Sequence, residues 1–126
     1  MRYNFRTALK AIAAIFVLVF ALNTLTACAD QKVEMSTVTA VIDVRTPAEV
    51  AEGHLEGALF VDFLADDFRD KVVELDKSAD YVVHCRSGNR SGQAVVIMVE
   101  LGFTGELVNG GGLEDAAAST GLAIVH

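Results

Sequence analysis

Tyr81-Val82-Val83-His84-Cys85-Arg86-Ser87-Gly88-Asn89-Arg90-Ser91, with the apolar run Ala94-Val95-Val96-Ile97-Met98-Val99 after it, decides the fold. Tyr81 to His84 reads as a strand covered on both faces, because it is apolar without alternation. The apolar run predicts a helix from about Ser91 to Leu101, ended by Gly102. That helix is apolar on nearly every side, as a helix at the centre of a protein would be. Between the two, Cys85 to Arg90 must turn tightly, and Gly88 and Asn89 tolerate the positive φ that such a turn needs. Successive backbone N–H groups then point inward as a nest, to which the N-terminus of the helix adds its positive end. Arg86 and Arg90 contribute two full charges, with Arg86 expected at the pocket rim and Arg90 folded back toward the sulfur. A Cys85 thiol in that field is expected to be largely thiolate at neutral pH. The alternative is an inert buried cysteine behind a solvated turn.

Outward from this stretch, strand and helix alternate. Val38 to Val44 is a β-rich run, and Thr46-Pro47-Ala48-Glu49 has the residues of a capping box with Pro at the first helical position. The short helix it starts ends near Gly53. Ala58 to Val61 predicts another strand, and Asp62 a cap for a helix on which Leu64, Phe68, Val72 and Leu75 share a face. Glu106 to Val108 predicts a fourth strand, Gly110-Gly111-Gly112 a turn into an alanine-rich helix, and Leu122 to Val125 an edge strand. Connections this short allow only βα units. The expected fold is therefore α/β, with a mostly parallel four- to five-stranded sheet and helices on both faces. In such sheets ligands bind beyond the carboxyl ends of the strands, where Cys85 falls.

The chain has 126 residues, enough for one domain of ordinary size, and 52% of them are apolar, which excludes a disordered chain. Ten basic against 17 acidic side chains, without a Lys/Arg cluster, exclude nucleic acid as a partner. Two cysteines, Cys28 and Cys85, cannot make a disulfide framework, and no Cys/His spacing suggests a structural metal. The first 28 residues stand apart. Arg2, Arg6 and Lys10 precede an apolar run from Ala11 to Leu22, too short to span a bilayer, and Leu25-Thr26-Ala27-Cys28 follows. This is the pattern of a secretory signal peptide, and an uncleaved anchor is the alternative.

Leu25-Thr26-Ala27-Cys28 also resembles a bacterial lipobox. That resemblance implies residues 1–27 as a lipoprotein signal peptide, a diacylglyceryl group on Cys28 and residues 28–37 as a lipidated tether. It places the protein at the cell envelope, facing the periplasm. Ala29, rather than Asp, after Cys28 implies the outer membrane over the inner. The remainder would carry seven cations against 17 carboxylates, a charge of −10, with Cys85 its only free thiol.

Three further segments complete a likeness. Val41-Ile42-Asp43-Val44-Arg45, then Gly53-His54-Leu55-Glu56-Gly57-Ala58, the loop Cys85 to Ser91, and finally Gly102-Phe103 and Val108-Asn109-Gly110-Gly111 together resemble the single-domain rhodanese family of sulfurtransferases. The likeness covers about residues 38–125, nearly the whole of the domain expected over residues 38–126. The chain departs from many members in having no Trp after the paired glycines, which concerns one pocket wall and not the nucleophile.

The resemblance implies double displacement. Cys85 takes the outer sulfur of thiosulfate, releasing sulfite, and passes it from a persulfide to a thiol or to cyanide. It implies a small anionic sulfur donor, a thiol acceptor, no metal, no organic cofactor and a monomer. Arg86, Ser87, Gly88, Asn89, Arg90 and Ser91 would bind substrate, while Asp43 and Arg45 would support the loop by pairing with its backbone or with each other. His54 reads as a packing residue, and His84 should point away from the pocket because strand side chains alternate. A phosphatase or arsenate reductase of the same fold is one alternative. Its loop needs five residues between Cys and Arg, and only four lie between Cys85 and Arg90. A non-catalytic rhodanese-like binding module is the other, although such relatives usually lose the Cys.

Overall fold

Ala40–Asp43 (β1) and Tyr81–His84 (β4) form the middle of the sheet because their side chains tolerate burial on both faces. The structure, a computed structural model, describes Val38 and residues 40–126. The expected leader, the tether and Cys28 lie outside the described residues. Along the chain come β1, α1 (Pro47–Ala51), β2 (His54–Leu55), β3 (Leu59–Phe60), α2 (Phe68–Val72) and β4. After these come α3 (Asn89–Glu100), β5 (Leu107–Asn109), α4 (Leu113–Thr120) and β6 (Ile124–Val125). Four strands pair in the order β3-β1-β4-β5, all parallel. Ala40 lies opposite Tyr81 and Asp43 opposite His84, so the carboxyl ends of β1 and β4 finish together. The fold is α/β with helices on both faces of a parallel sheet.

Alternation along the central strands divides the core in two. Ile42, Tyr81 and Val83 face one side, where they pack with Phe68 and Val72 of α2, Ala94 and Met98 of α3, and Phe103. Val41 and Val82 face the other, with Leu55, Ala58 and Ala116 of α4.

Four details differ from the sequence expectations. Helix α3 is not enclosed: Ala94 and Met98 are buried, whereas Val96 and Val99 are 57% and 60% exposed. A single sheet face can cover only one side of a helix, however apolar the remainder. Leu64 does not share the face of Phe68 and Val72. Asp62 Oδ1 accepts from the Leu64 N–H at 2.9 Å in a turn ahead of the shorter helix α2, leaving Leu64 64% exposed. β6 is not an edge of the main sheet. It pairs antiparallel with β2, a strand too short to show a period, with His54 opposite Val125 and Leu55 opposite Ile124. Finally, Asn89 needs no positive φ, because Gly88 alone carries it (φ 91°) and Asn89 opens α3.

The expected capping box is present. The Glu49 N–H donates to Thr46 Oγ1 at 3.4 Å, and Glu49 Oε2 accepts from the Thr46 N–H at 3.0 Å.

Candidate active site

Cys85 follows directly on β4, and its N–H donates to the Gly111 carbonyl at 3.0 Å, which fixes it at the carboxyl edge of the sheet. The loop returns within three residues: the Gly88 N–H donates to Cys85 Sγ at 3.0 Å. Only glycine suits position 88. Its φ of 91° lies in the left-handed region, and a Cβ there would meet Gly111 Cα at 3.2 Å. Ser91 Oγ, one turn into α3, lies 3.5 Å from Sγ.

The Cys85 side chain is buried, and burial pushes its thiol up. The Ser91 hydroxyl and the backbone N–H groups of Ser91, Ser87 and Gly88 pull it down further, to about 7 from an ordinary 9.0. The Ser91 hydroxyl first, and then the nest of amides that the sequence predicts, supply this acidity.

The two loop arginines are placed differently. Arg86 is exposed beside the mouth of the loop and borders a cavity of about 610 Å³ with Glu49, Glu52, Glu114 and His126. Arg90 does not fold back to the sulfur. Its Nη1 and Nη2 donate to Glu49 Oε2 and Oε1 at 2.8 and 2.7 Å, a two-point pair that ties the start of α3 to α1. Glu49 is the partner that sequence reading missed, since its capping role already accounted for it. Asn89 turns its side chain to Gln93, whose Nε2 donates to Asn89 Oδ1 at 2.9 Å, and Ser87 is exposed.

Asp43 and Arg45 pair with each other. Arg45 Nε and Nη2 donate to the Asp43 carboxylate at 2.7–3.1 Å, and Arg45 Nη2 also donates to the Gly53 carbonyl at 2.8 Å. The pair clamps the end of β1 to the end of α1. His84 is wholly buried, with Nδ1 3.3 Å from the Cys85 carbonyl and Nε2 3.6 Å from Asp43 Oδ2, too far for a hydrogen bond. Burial lowers its pKa, which keeps the imidazole neutral at pH 7. His54 packs edge-on against Phe60, 5.1 Å between ring centroids. Among the described residues no group of three or more His, Cys, Asp or Glu is placed to hold a metal ion.

A parallel α/β domain that presents an acidified thiol among amide donors holds a cysteine nucleophile suited to group transfer. The chain belongs to the rhodanese family: the Rhodanese-like domain matches residues 26–119. It is 37% identical over 76 residues to the thiosulfate sulfurtransferase PspE of Escherichia coli (strain K12), covering 60% of this chain and 72% of that one. It is 39% identical over 85 residues to a sulfurtransferase of Allochromatium vinosum, covering 68% and 77%. Among solved structures it is similar to a "rhodanese with anions from E. coli" (TM-score 0.56, 32% identity, 68% of this chain and 95% of that one). A Helicobacter pylori protein solved by NMR gives a TM-score of 0.61 at 27% identity, covering 77% and 86%. The family is one of sulfurtransferases.

Proposed function

We propose that the protein moves sulfane sulfur from thiosulfate, or from a persulfide donor, to a thiol acceptor through a persulfide on Cys85. The observation that carries this reading is the Sγ itself, held at about 7 by the Ser91 hydroxyl and by amide donors that also suit a second sulfur. In the first step the Cys85 thiolate attacks the outer sulfur of thiosulfate. The thiosulfate S–S bond breaks, its electron pair leaves on sulfite, and a Cys85 persulfide anion remains. In the second step an acceptor thiolate attacks the outer sulfur, forming its own persulfide and returning the electron pair to Cys85. The N–H groups of Ser87 and Gly88 offset negative charge at the sulfur in both steps. Arg86 is the exposed cation next to the nucleophile and draws in the dianion.

Mass spectrometry tests the reading. Thiosulfate should add one sulfur atom to the Cys85 peptide, cyanide should remove it as thiocyanate, and Cys85→Ser should fold but do neither. Undiminished turnover in that variant would overturn the assignment.

The same proposal places the protein at the bacterial envelope, periplasm-facing and anchored by lipid on Cys28, on the strength of Leu25-Thr26-Ala27-Cys28. A palmitate analogue fed to cells should label the wild type and not Cys28→Ala. An unlabelled wild type would remove the anchor from the proposal.

A further inference from the structure

Asn109 ends β5 opposite Val83, two residues before Cys85. Its amide makes three hydrogen bonds, all within the loop and the turn that faces it. Nδ2 donates to the Gly88 carbonyl at 2.9 Å, while Oδ1 accepts from the Gly111 N–H at 3.1 Å and from Ser91 Oγ at 2.7 Å. The amide orientation is fixed by these partners. Turned over, it would set NH₂ against the Gly111 N–H and oxygen against the Gly88 carbonyl.

A serine hydroxyl has one proton to donate. Ser91 Oγ is within donating distance of both Asn109 Oδ1, at 2.7 Å, and the larger Cys85 Sγ, at 3.5 Å, and can give its proton to only one of them at a time. With the proton on Asn109 the sulfur faces a hydroxyl lone pair, which suits a thiol; with the proton turned to the sulfur a thiolate is stabilised. For Ser91 to donate to a thiolate, the hydroxyl must rotate and give up Asn109.

We propose that Asn109 is a positioning residue that tunes the acidity of Cys85 by competing with its sulfur for the Ser91 proton. This rests on Cys85 being the reactive thiol. Asn109 also holds the Gly88 carbonyl, and through it the Gly88 N–H that donates to Sγ. Its removal thus has two opposed effects: a freed Ser91 makes the thiol more acidic, and a loosened Gly88 makes it less so. Only the first effect requires Ser91, and this separates them.

The experiment is a double-mutant cycle on the full-length chain. The midpoint of Cys85 alkylation against pH is read by peptide mass spectrometry in the wild type, Asn109→Leu, Ser91→Ala and the double variant. The charged and titratable groups around Cys85 are Arg86 in the loop, Arg90 with Glu49 from α1 and with Asp62, His84 on β4, Asp43 with Arg45 at the end of β1, and Asp115 in the first turn of α4. They are the same in all four chains, so their contributions cancel. The shift caused by Asn109→Leu should be more acidic with Ser91 present than with Ser91→Ala, by about half to one pH unit, or about three- to tenfold in acidity. Equal shifts in the two backgrounds would overturn the proposal. Asn109→Ala carries the same sign of coupling and replaces Asn109→Leu if that variant does not fold. Alkylation reads acidity without sulfur transfer, so failure of the sulfurtransferase reading would show separately, as no persulfide on a normally titrating Cys85.

Discussion

Gly88 sets the geometry at the residue scale, since its left-handed φ turns one N–H onto the sulfur at 3.0 Å. Gly88→Ala must either strain that φ or push Cβ against Gly111 Cα, and the N–H then leaves Sγ. The loss of one hydrogen bond to a charged sulfur, about 1.5–3 kcal/mol, should lower kcat/KM about ten- to hundredfold and raise the alkylation midpoint relative to the wild type. Steady-state kinetics and a pH titration of alkylation check both. Arg86 acts at longer range. Arg86→Glu should raise KM for thiosulfate by about tenfold with kcat nearly kept, and should hardly affect a neutral donor. Equal losses for both donors would show that this charge does not select substrate. Cys85 and its glycine were legible from the sequence because a tight loop between a buried strand and a helix admits few residue types. The partner of Arg90 was not, because Glu49 is 41 residues away and already has a local role in the capping box.

That pair acts at the scale of elements, by joining α1 to α3. Hydrogen bonds from Arg90 hold Glu49 at about 2, against an ordinary 4.5. A depressed carboxylate contributes stability in full above its ordinary value, and that contribution disappears as pH falls from about 4.5 toward about 2. Glu49→Gln should therefore flatten the acid limb of a stability–pH profile, with a difference of about 1–3 kcal/mol at neutral pH. Denaturant melts from pH 2 to 7 read this directly, and parallel acid limbs would count against the pair. Helix α3 makes a second test. Met98→Ala opens the core and should cost about 2–5 kcal/mol, whereas exposed Val96→Ala should cost less than about 0.5 kcal/mol. The existence of this helix was plain from its composition. Its covered side was not, because a segment apolar all round carries no amphipathic stripe to read.

At the scale of the whole molecule, β6 returns across some 70 residues to pair with β2, and Leu122 just before it packs against the cluster that holds Leu55. Removing residues 122–126 takes away Leu122 and the β6 pairing and should lower Tm by about 5 °C by calorimetry. An unchanged Tm would mean that β6 contributes nothing to the core. The pairing could not be read from the chain, since two-residue strands show no period and their partners are distant. What the sequence by itself determined is local: the alternation of strand and helix, the Thr46–Glu49 cap, the place of Cys85 directly after β4 and the family likeness of its loop. Each follows from neighbours within a few residues, where backbone sterics and periodicity act. Tertiary structure alone decided that Arg90 hydrogen-bonds Glu49 and not the sulfur, that Asn109 reaches Ser91 and Gly88, and that α3 leaves one face to solvent. Those outcomes depend on which distant groups the packed sheet brings within hydrogen-bonding distance, and a hydrogen bond is lost over a few tenths of an ångström.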